Sequence, residues 1–167
     1  LCTGSGCIGI ACAVAFPKAS VVLSDISRDA LTVAEINCKR HHLGNRAELI
    51  ESDLFTNLPE KKYDLIVTNP PYVDAQDLET MPDEYRQEPA QGLASGTHGL
   101  DCIRAILKAA PEYLNDYGVL VAEVGNSQAA LEQEYPNVPF LWLDFEHGGN
   151  GVFVLTAGQL QQYKNQF

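Results

Sequence analysis

Residues 69–72 read Asn69-Pro70-Pro71-Tyr72, an amide and an aromatic ring set on a backbone that two prolines hold stiff. They end the apolar run YDLIVT (63–68), because proline cannot donate to a sheet ladder and fixes its own φ. The residue before a proline is confined to extended backbone, so Asn69 leaves the strand in a restricted conformation. A second cluster opens the chain: GSGCIG, Gly4 to Gly9, matches G-x-G-x-x-G at the start of a helical pattern. Glycines let the backbone approach a ligand closely. About 20 residues on, the next strand ends in Asp25, where a carboxylate can accept ribose hydroxyls. Together these point to a nucleoside-bearing cofactor, with NAD and S-adenosylmethionine both open. The plain alternative is a Gly-rich turn followed by a helix-capping Asp. Asp53, in ESDLF, stands at a third strand end, where it could bond the exocyclic amine of adenine while Leu54 packs on the ring; equally, it could cap a turn.

The elements that must position these groups are legible as periodicity. Apolar runs at 21–25 (VVLSD), 47–53 (AELIESD), 63–69 (YDLIVTN) and 118–124 (GVLVAEV) suit parallel strands covered on both faces. Between them lie helical patterns over 7–16, 27–42 and 99–115. Ser27 is placed to N-cap the second, which carries Ala30, Val33, Ala34 and Cys38 on one face. The third aligns Leu100, Ile103, Leu107, Ala110 and Leu114. Alternating strands and helices predict a doubly wound α/β sheet with Rossmann-like topology, and ligands in such sheets lie outside the carboxyl ends of the strands. Residues 140–156 are strand, Gly/Asn turn, strand, and predict an antiparallel hairpin added to the parallel sheet. Residues 157–167 are polar and suit a short terminal helix or a frayed tail. The stretch 73–98 is long for a loop in a compact domain and directly follows Tyr72, which suits a wall or lid of the same site; the alternative is a solvated insertion.

Bulk properties narrow the classes. The chain has 167 residues, enough for one domain with a core, and its formal net charge is −11. That sign disfavours direct nucleic-acid contact, whose affinity comes largely from phosphate, and suits a basic protein partner or, more simply, solubility alone. No apolar run approaches the ~20 residues of a membrane span. The cysteines Cys2, Cys7, Cys12, Cys38 and Cys102 form no C-x-x-C and suit reduced, buried thiols of a cytoplasmic protein. The histidines lack ligand spacing, so no metal site is expected. The opening LCTGSG, without Met, reads as the inside of an element whose N-terminal part is missing.

Asn-Pro-Pro-Tyr beside a Gly-rich nucleoside site resembles the signature of aminomethyltransferases, which methylate planar, conjugated nitrogens from S-adenosylmethionine. Such a nitrogen is a poor nucleophile and needs alignment more than a strong base. Asn69 can accept one N–H through its side-chain oxygen and the Pro70 carbonyl can accept the other. The prolines preorganise these two acceptors. More closely, the chain resembles the protein-(glutamine-N5) methyltransferases of the HemK/PrmB family. Matching stretches are LCTGSGCI, SDLF, YDLIVTNPPYV, EYRQEP with GLASG after it, VAEVGNS and GGNGVFVLT, which span nearly the whole chain. The run 84–101, EYRQEPAQGLASGTHGLD, points to the branch acting on a large-subunit ribosomal protein rather than the branch acting on release factors.

The resemblance implies a class I methyltransferase catalytic domain over 1–167, truncated at its N-terminus. The family's acidic residue before Leu1 and its helical N-terminal domain are not in the sequence. It implies that Leu1, Cys2, Thr3, Gly4 and Gly6 contact the methionine and ribose of S-adenosylmethionine, that Asp25 takes the ribose, and that Asp53 and Leu54 take the adenine. Asn69 would also touch the cofactor. Asn69, Pro70, Pro71 and Tyr72 would clamp a substrate glutamine, with Asn69, Pro70 and Tyr72 at the reacting group and no metal required. The implied partner is a basic protein substrate, a ribosomal protein, with no nucleic acid or membrane; Asp74, Asp77, Glu79, Asp83, Glu84 and Glu88 beside the clamp suit such a partner. Alternatives are an adenine-N6 methyltransferase, which would want a basic groove, an NAD-dependent oxidoreductase, which leaves residues 69–72 without a role, and a cofactor-binding regulatory module.

Overall fold

The computed structural model describes residues 1–72, 99–146 and 149–167. The acidic stretch 73–98, His98 and His147 therefore lie outside the described residues. The described chain forms two compact units, Leu1–Glu60 and Lys61–Phe167.

In the first unit, α1 (Cys7–Ala15) leads to β1 (Val21–Asp25), α2 (Arg28–Arg40) and β2 (Ala47–Glu51). β1 and β2 pair in parallel, from Val21 opposite Ala47 to Asp25 opposite Glu51. Ile10, Ala13, Leu23, Cys38 and Leu43 form the core. Ser27 caps α2 as its sequence predicts, its hydroxyl accepting from the Ala30 N–H. The apolar stripe of α2 differs from the expected one. It runs through Leu31, Ala34 and Cys38, while Val33 is 46% exposed and Ala30 only half-buried. The i, i+3, i+7 spacing of the buried three follows the helix period, and places Ala30 and Val33 on its flank. At the far end of α1, the Arg46 guanidinium donates to the carbonyls of Ala13 (2.9 Å) and Ala19 (3.2 Å), supplying a partner to a helix-end carbonyl.

Gly9 sets how closely α1 lies on β1. A Cβ there would stand 2.1 Å from Leu23 Cδ2, and Leu23 is only 2% exposed. Alanine would gain about 1 kcal/mol of helix propensity but overpack a buried contact, a cost of about 1–3 kcal/mol. Gly9→Ala is expected to lower unfolding free energy by up to about 2 kcal/mol on balance. Denaturant titration checks this; a variant more stable than the parent contradicts it.

In the second unit, β3 (Tyr63–Thr68), α3 (Asp101–Tyr113), β4 (Leu114–Glu123), α4 (Gln128–Glu134), β5 (Leu141–Leu143), β6 (Val152–Thr156) and α5 (Ala157–Gln162) follow in order. The sheet order is β3-β4-β6-β5. β3 and β4 are parallel, while β6 runs antiparallel to both β4 and β5, so the terminal hairpin is present. β4 begins at Leu114 rather than at 118. The register shifts between Tyr63 and Leu65, where Asn115 Nδ2 donates to Asp64 Oδ1 at 2.6 Å. The α3 stripe is as expected: Ile103, Leu107 and Ala110 are buried, as are the flanking Leu100 and Leu114. Phe140 and Trp142 pack edge-on against the fully buried Phe153, at 4.9 and 5.4 Å between centroids. Arg104 joins α3 to α4 through two 2.6 Å bonds to the Glu134 carboxylate. That bond holds the guanidinium pKa above its usual value, and burial, then the Glu134 charge, pushes the neighbouring Tyr135 phenol up.

Among the described residues no cysteine is in a disulfide, and of the five Cys38 alone is buried, while Cys7 is exposed. The expectation of buried thiols holds for Cys38, while Cys2, Cys12 and Cys102 are half-buried. Among the described residues no helix is long and apolar enough to cross a membrane, and no group of His, Cys, Asp and Glu could hold a metal ion.

Candidate active site

The glycine loop is shaped by backbone that favours glycine. Gly4 has φ +54° and Gly6 φ +87°, both left-handed. A Cβ on Gly6 would crowd Ile10 and Ala34 at 3.1 and 3.2 Å, whereas one on Gly4 would meet no protein atom within 4 Å. Gly4 thus presents open backbone. The turn is closed by Gly6 N–H donating to the Thr3 carbonyl at 2.9 Å, and tied to β1 by Thr3 N–H donating to Ser24 O at 3.0 Å. Leu1, Cys2 and Thr3 are half-buried and lie in no strand.

Asp25 is the last residue of β1 and organises the loop. One carboxylate oxygen accepts from Gly4 N–H at 2.8 Å and the other from Ser27 N–H at 2.9 Å. The sequence suggests a ligand for ribose; the geometry adds that the same group joins the glycine loop to the start of α2. A carboxylate offers about four lone-pair sites, so each oxygen keeps capacity for a hydroxyl. The left-handed glycines, the open side of Gly4 and this carboxylate fit the ribose portion of a nucleoside cofactor.

Asp53 and Leu54 follow β2. Asp53 is exposed, and its carbonyl accepts from Thr56 N–H at 3.0 Å, so it belongs to a turn as well as to the candidate site. Leu54 is half-buried at φ +46°, a left-handed conformation that is costly for a residue with a Cβ. Cys2, at φ +51°, shares it. Strained backbone of this kind persists only where surroundings enforce it, and it concentrates at functional sites. What enforces it at Leu54 is Ser52, which sequence reading missed. Ser52 is buried; its hydroxyl donates to Leu54 O at 2.8 Å and accepts from Asn57 N–H at 3.0 Å, while its own N–H donates to Asp25 O at 2.9 Å. Ser52→Ala removes a partner from two part-buried backbone groups, Leu54 O and Asn57 N–H, and is expected to weaken adenosine-cofactor binding by about 0.5–1.5 kcal/mol. Calorimetric titration tests it; an unchanged Kd contradicts it.

In the second unit, Asn69 follows β3 directly and is exposed, while Pro70 behind it is fully buried. The buried ring anchors the turn and the amide projects from it. Pro71 and Tyr72 are half-buried. Tyr72 is braced on several sides. Its carbonyl accepts from Ser127 Oγ at 3.2 Å, and its phenol lies 3.4 Å from Glu123 Oε1. Its ring lies over Gly125 and its carbonyl over Gly99, where added Cβ atoms would come within 2.5 and 1.9 Å. None of these four was picked out singly by sequence, although Glu123, Gly125 and Ser127 fall in VAEVGNS and Gly99 in the GTHGLD run.

The Methyltransferase small domain family matches residues 1–86, and the chain belongs to that family. Over all of this chain it is 54% identical to the ribosomal protein uL3 glutamine methyltransferase of Francisella tularensis subsp. tularensis, covering 53% of that protein. Over 96% of this chain it is 49% identical to the enzyme of the same name from Neisseria meningitidis serogroup A, covering 52% of it. The chain thus spans about half the length of the curated relatives it matches. Among solved structures, a methyltransferase from Pyrococcus furiosus superposes with a TM-score of 0.66 at 15% identity, covering 93% of this chain and 71% of that one. The fold is that of the class I methyltransferases.

Proposed function

We propose that this chain is the catalytic part of an enzyme that transfers a methyl group from S-adenosylmethionine to the side-chain amide nitrogen of a glutamine, in a ribosomal protein of the uL3 type. The observation that carries the reading is the exposed Asn69 amide on its buried proline anchor, in a chain about half identical to uL3 glutamine methyltransferases along its length. Cofactor recognition is assigned to Leu1, Cys2, Thr3, Gly4, Gly6, Asp25, Asp53, Leu54 and Asn69, and acceptor recognition to Asn69, Pro70, Pro71 and Tyr72.

When bound, S-adenosylmethionine supplies a methyl group on a positive sulfur, already an activated leaving group. The protein's task is to make a delocalised amide nitrogen attack. Asn69 Oδ1 and the Pro70 carbonyl accept the two amide N–H bonds, turning the nitrogen lone pair toward the methyl carbon. The cofactor, when bound, would give up the methyl and leave as a neutral thioether, and the methylated amide nitrogen would release one proton to water. Tyr72 stacks on the flat carboxamide. Fixed acceptors cost no reorganisation at the moment of reaction, which is why rigid prolines serve here. The net charge of −11 supports a basic protein acceptor over a phosphate backbone.

The test is incubation of the intact enzyme with methyl-labelled S-adenosylmethionine and total ribosomal proteins. Label on one large-subunit protein supports the reading; NADH binding with no response to the methyl donor overturns it.

A further inference from the structure

We propose that Gly125 is a positioning residue for the acceptor: it sets where the Tyr72 ring lies, and so the slot that the substrate carboxamide enters. This rests on the proposed amide-methylation reading.

A Cβ on Gly125 would stand 2.5 Å from Tyr72 Cε2 and 2.8 Å from Cζ. Ordinary contact begins at 3.4 Å, so any side chain at 125 displaces the ring by about 1 Å or displaces its own backbone. The backbone has no room to retreat. A Cβ on Gly151 would lie 2.3 Å from Gly125 O and 2.8 Å from Gly125 N, so Gly151 backs it at close quarters. The Val124 N–H bond to Gly151 O, 2.8 Å long, fixes that approach. The other end of Tyr72 is held as well, by Ser127 Oγ on its carbonyl and by Gly99 packed beneath that carbonyl. The ring must therefore be what moves. One of its faces is covered by Gly125, which leaves stacking to the other. Gly125 itself has φ +47°, so glycine is required there for conformation and for space.

A reacting group misplaced by 1 Å can cost on the order of 10²-fold in rate. In the intact enzyme, Gly125→Ala is expected to lower kcat/KM for the protein acceptor by about 10–100-fold, with Kd for S-adenosylmethionine within twofold of the parent. In a Tyr72→Ala background the same substitution is expected to change kcat/KM by less than about twofold, because the ring it acts through is gone. Ser127→Ala, which keeps the glycine, is expected to lower kcat/KM by about 3–10-fold without changing cofactor Kd. If Gly125→Ala does not fold, Ser127→Ala decides alone. A fully active Gly125→Ala, losses that simply multiply in the double variant, or a silent Ser127→Ala overturn the proposal. The Tyr72 ring resonances, assigned by their loss in Tyr72→Ala, give a readout independent of substrate. If they do not move in Gly125→Ala, the positioning role fails whatever the acceptor. If they move while the parent methylates no protein amide, the ring placement stands and the amide reading falls.

Discussion

Replacing Asn69 by alanine is expected to lower kcat by about 10²–10³-fold, the loss typical of one preorganised hydrogen-bonding partner in a transition state. Asn69 is exposed at the end of β3, and its removal deletes no buried packing. Pro70 stays fully buried, so the turn survives. The expected pattern is a fall in kcat with cofactor Kd nearly unchanged, read by single-turnover kinetics beside calorimetry. Loss of folding, or a loss confined to cofactor binding, would contradict the role given to the amide.

The second large effect is expected at Asp25. Each hydrogen bond to a charged acceptor is worth about 1.5–3 kcal/mol, so loss of the two proposed ribose contacts is expected to cost at least about 3 kcal/mol, or more than 10²-fold in Kd. Asp25→Asn is expected to be no gentler than Asp25→Ala. Both carboxylate oxygens accept a backbone N–H, from Gly4 and from Ser27. Either orientation of an Asn amide turns its NH2 group toward one of those donors. One of the two bonds, to the glycine loop or to the start of α2, is then lost together with the charge, although Thr3 N–H still holds the loop to Ser24 O. Titration with S-adenosylmethionine checks this; an Asn variant binding within threefold of the parent would contradict it.

Much of this was legible before any coordinates. The β1 run VVLSD, the cap at Ser27, the α3 stripe and the terminal hairpin each follow from a local period or a local turn residue, and all are present. What sequence reading missed depended on tertiary partners. The helix Gln128–Glu134 has seven residues and one fully buried side chain, Leu131, too few for a period to show. The early start of β4 rests on a shifted register against β3, a property of the pair rather than of either strand. The α2 stripe is offset from the expected face because Ala30 and Val33 satisfy the same spacing almost as well as the residues that are buried. The candidate site divides in the same way. Gly4, Gly6, Asp25 and Asn69 carry their chemistry in their identity and place along the chain. Ser52, Gly125, Ser127 and Gly151 act only through residues far away in sequence, and nothing in their neighbours announces that Ser52 holds Leu54 in a left-handed conformation or that Gly125 seats Tyr72.

The central claim is the identity of the methylated atom. Fragmentation mass spectrometry after reaction of the intact enzyme with S-adenosylmethionine, ribosomal proteins and ribosomal RNA would locate it. The account predicts one added methyl on the side-chain amide of a glutamine in a basic stretch of a uL3-type protein, absent in the Asn69→Ala control. A methyl found on the amino group of adenine in RNA, with no protein amide modified, would contradict it.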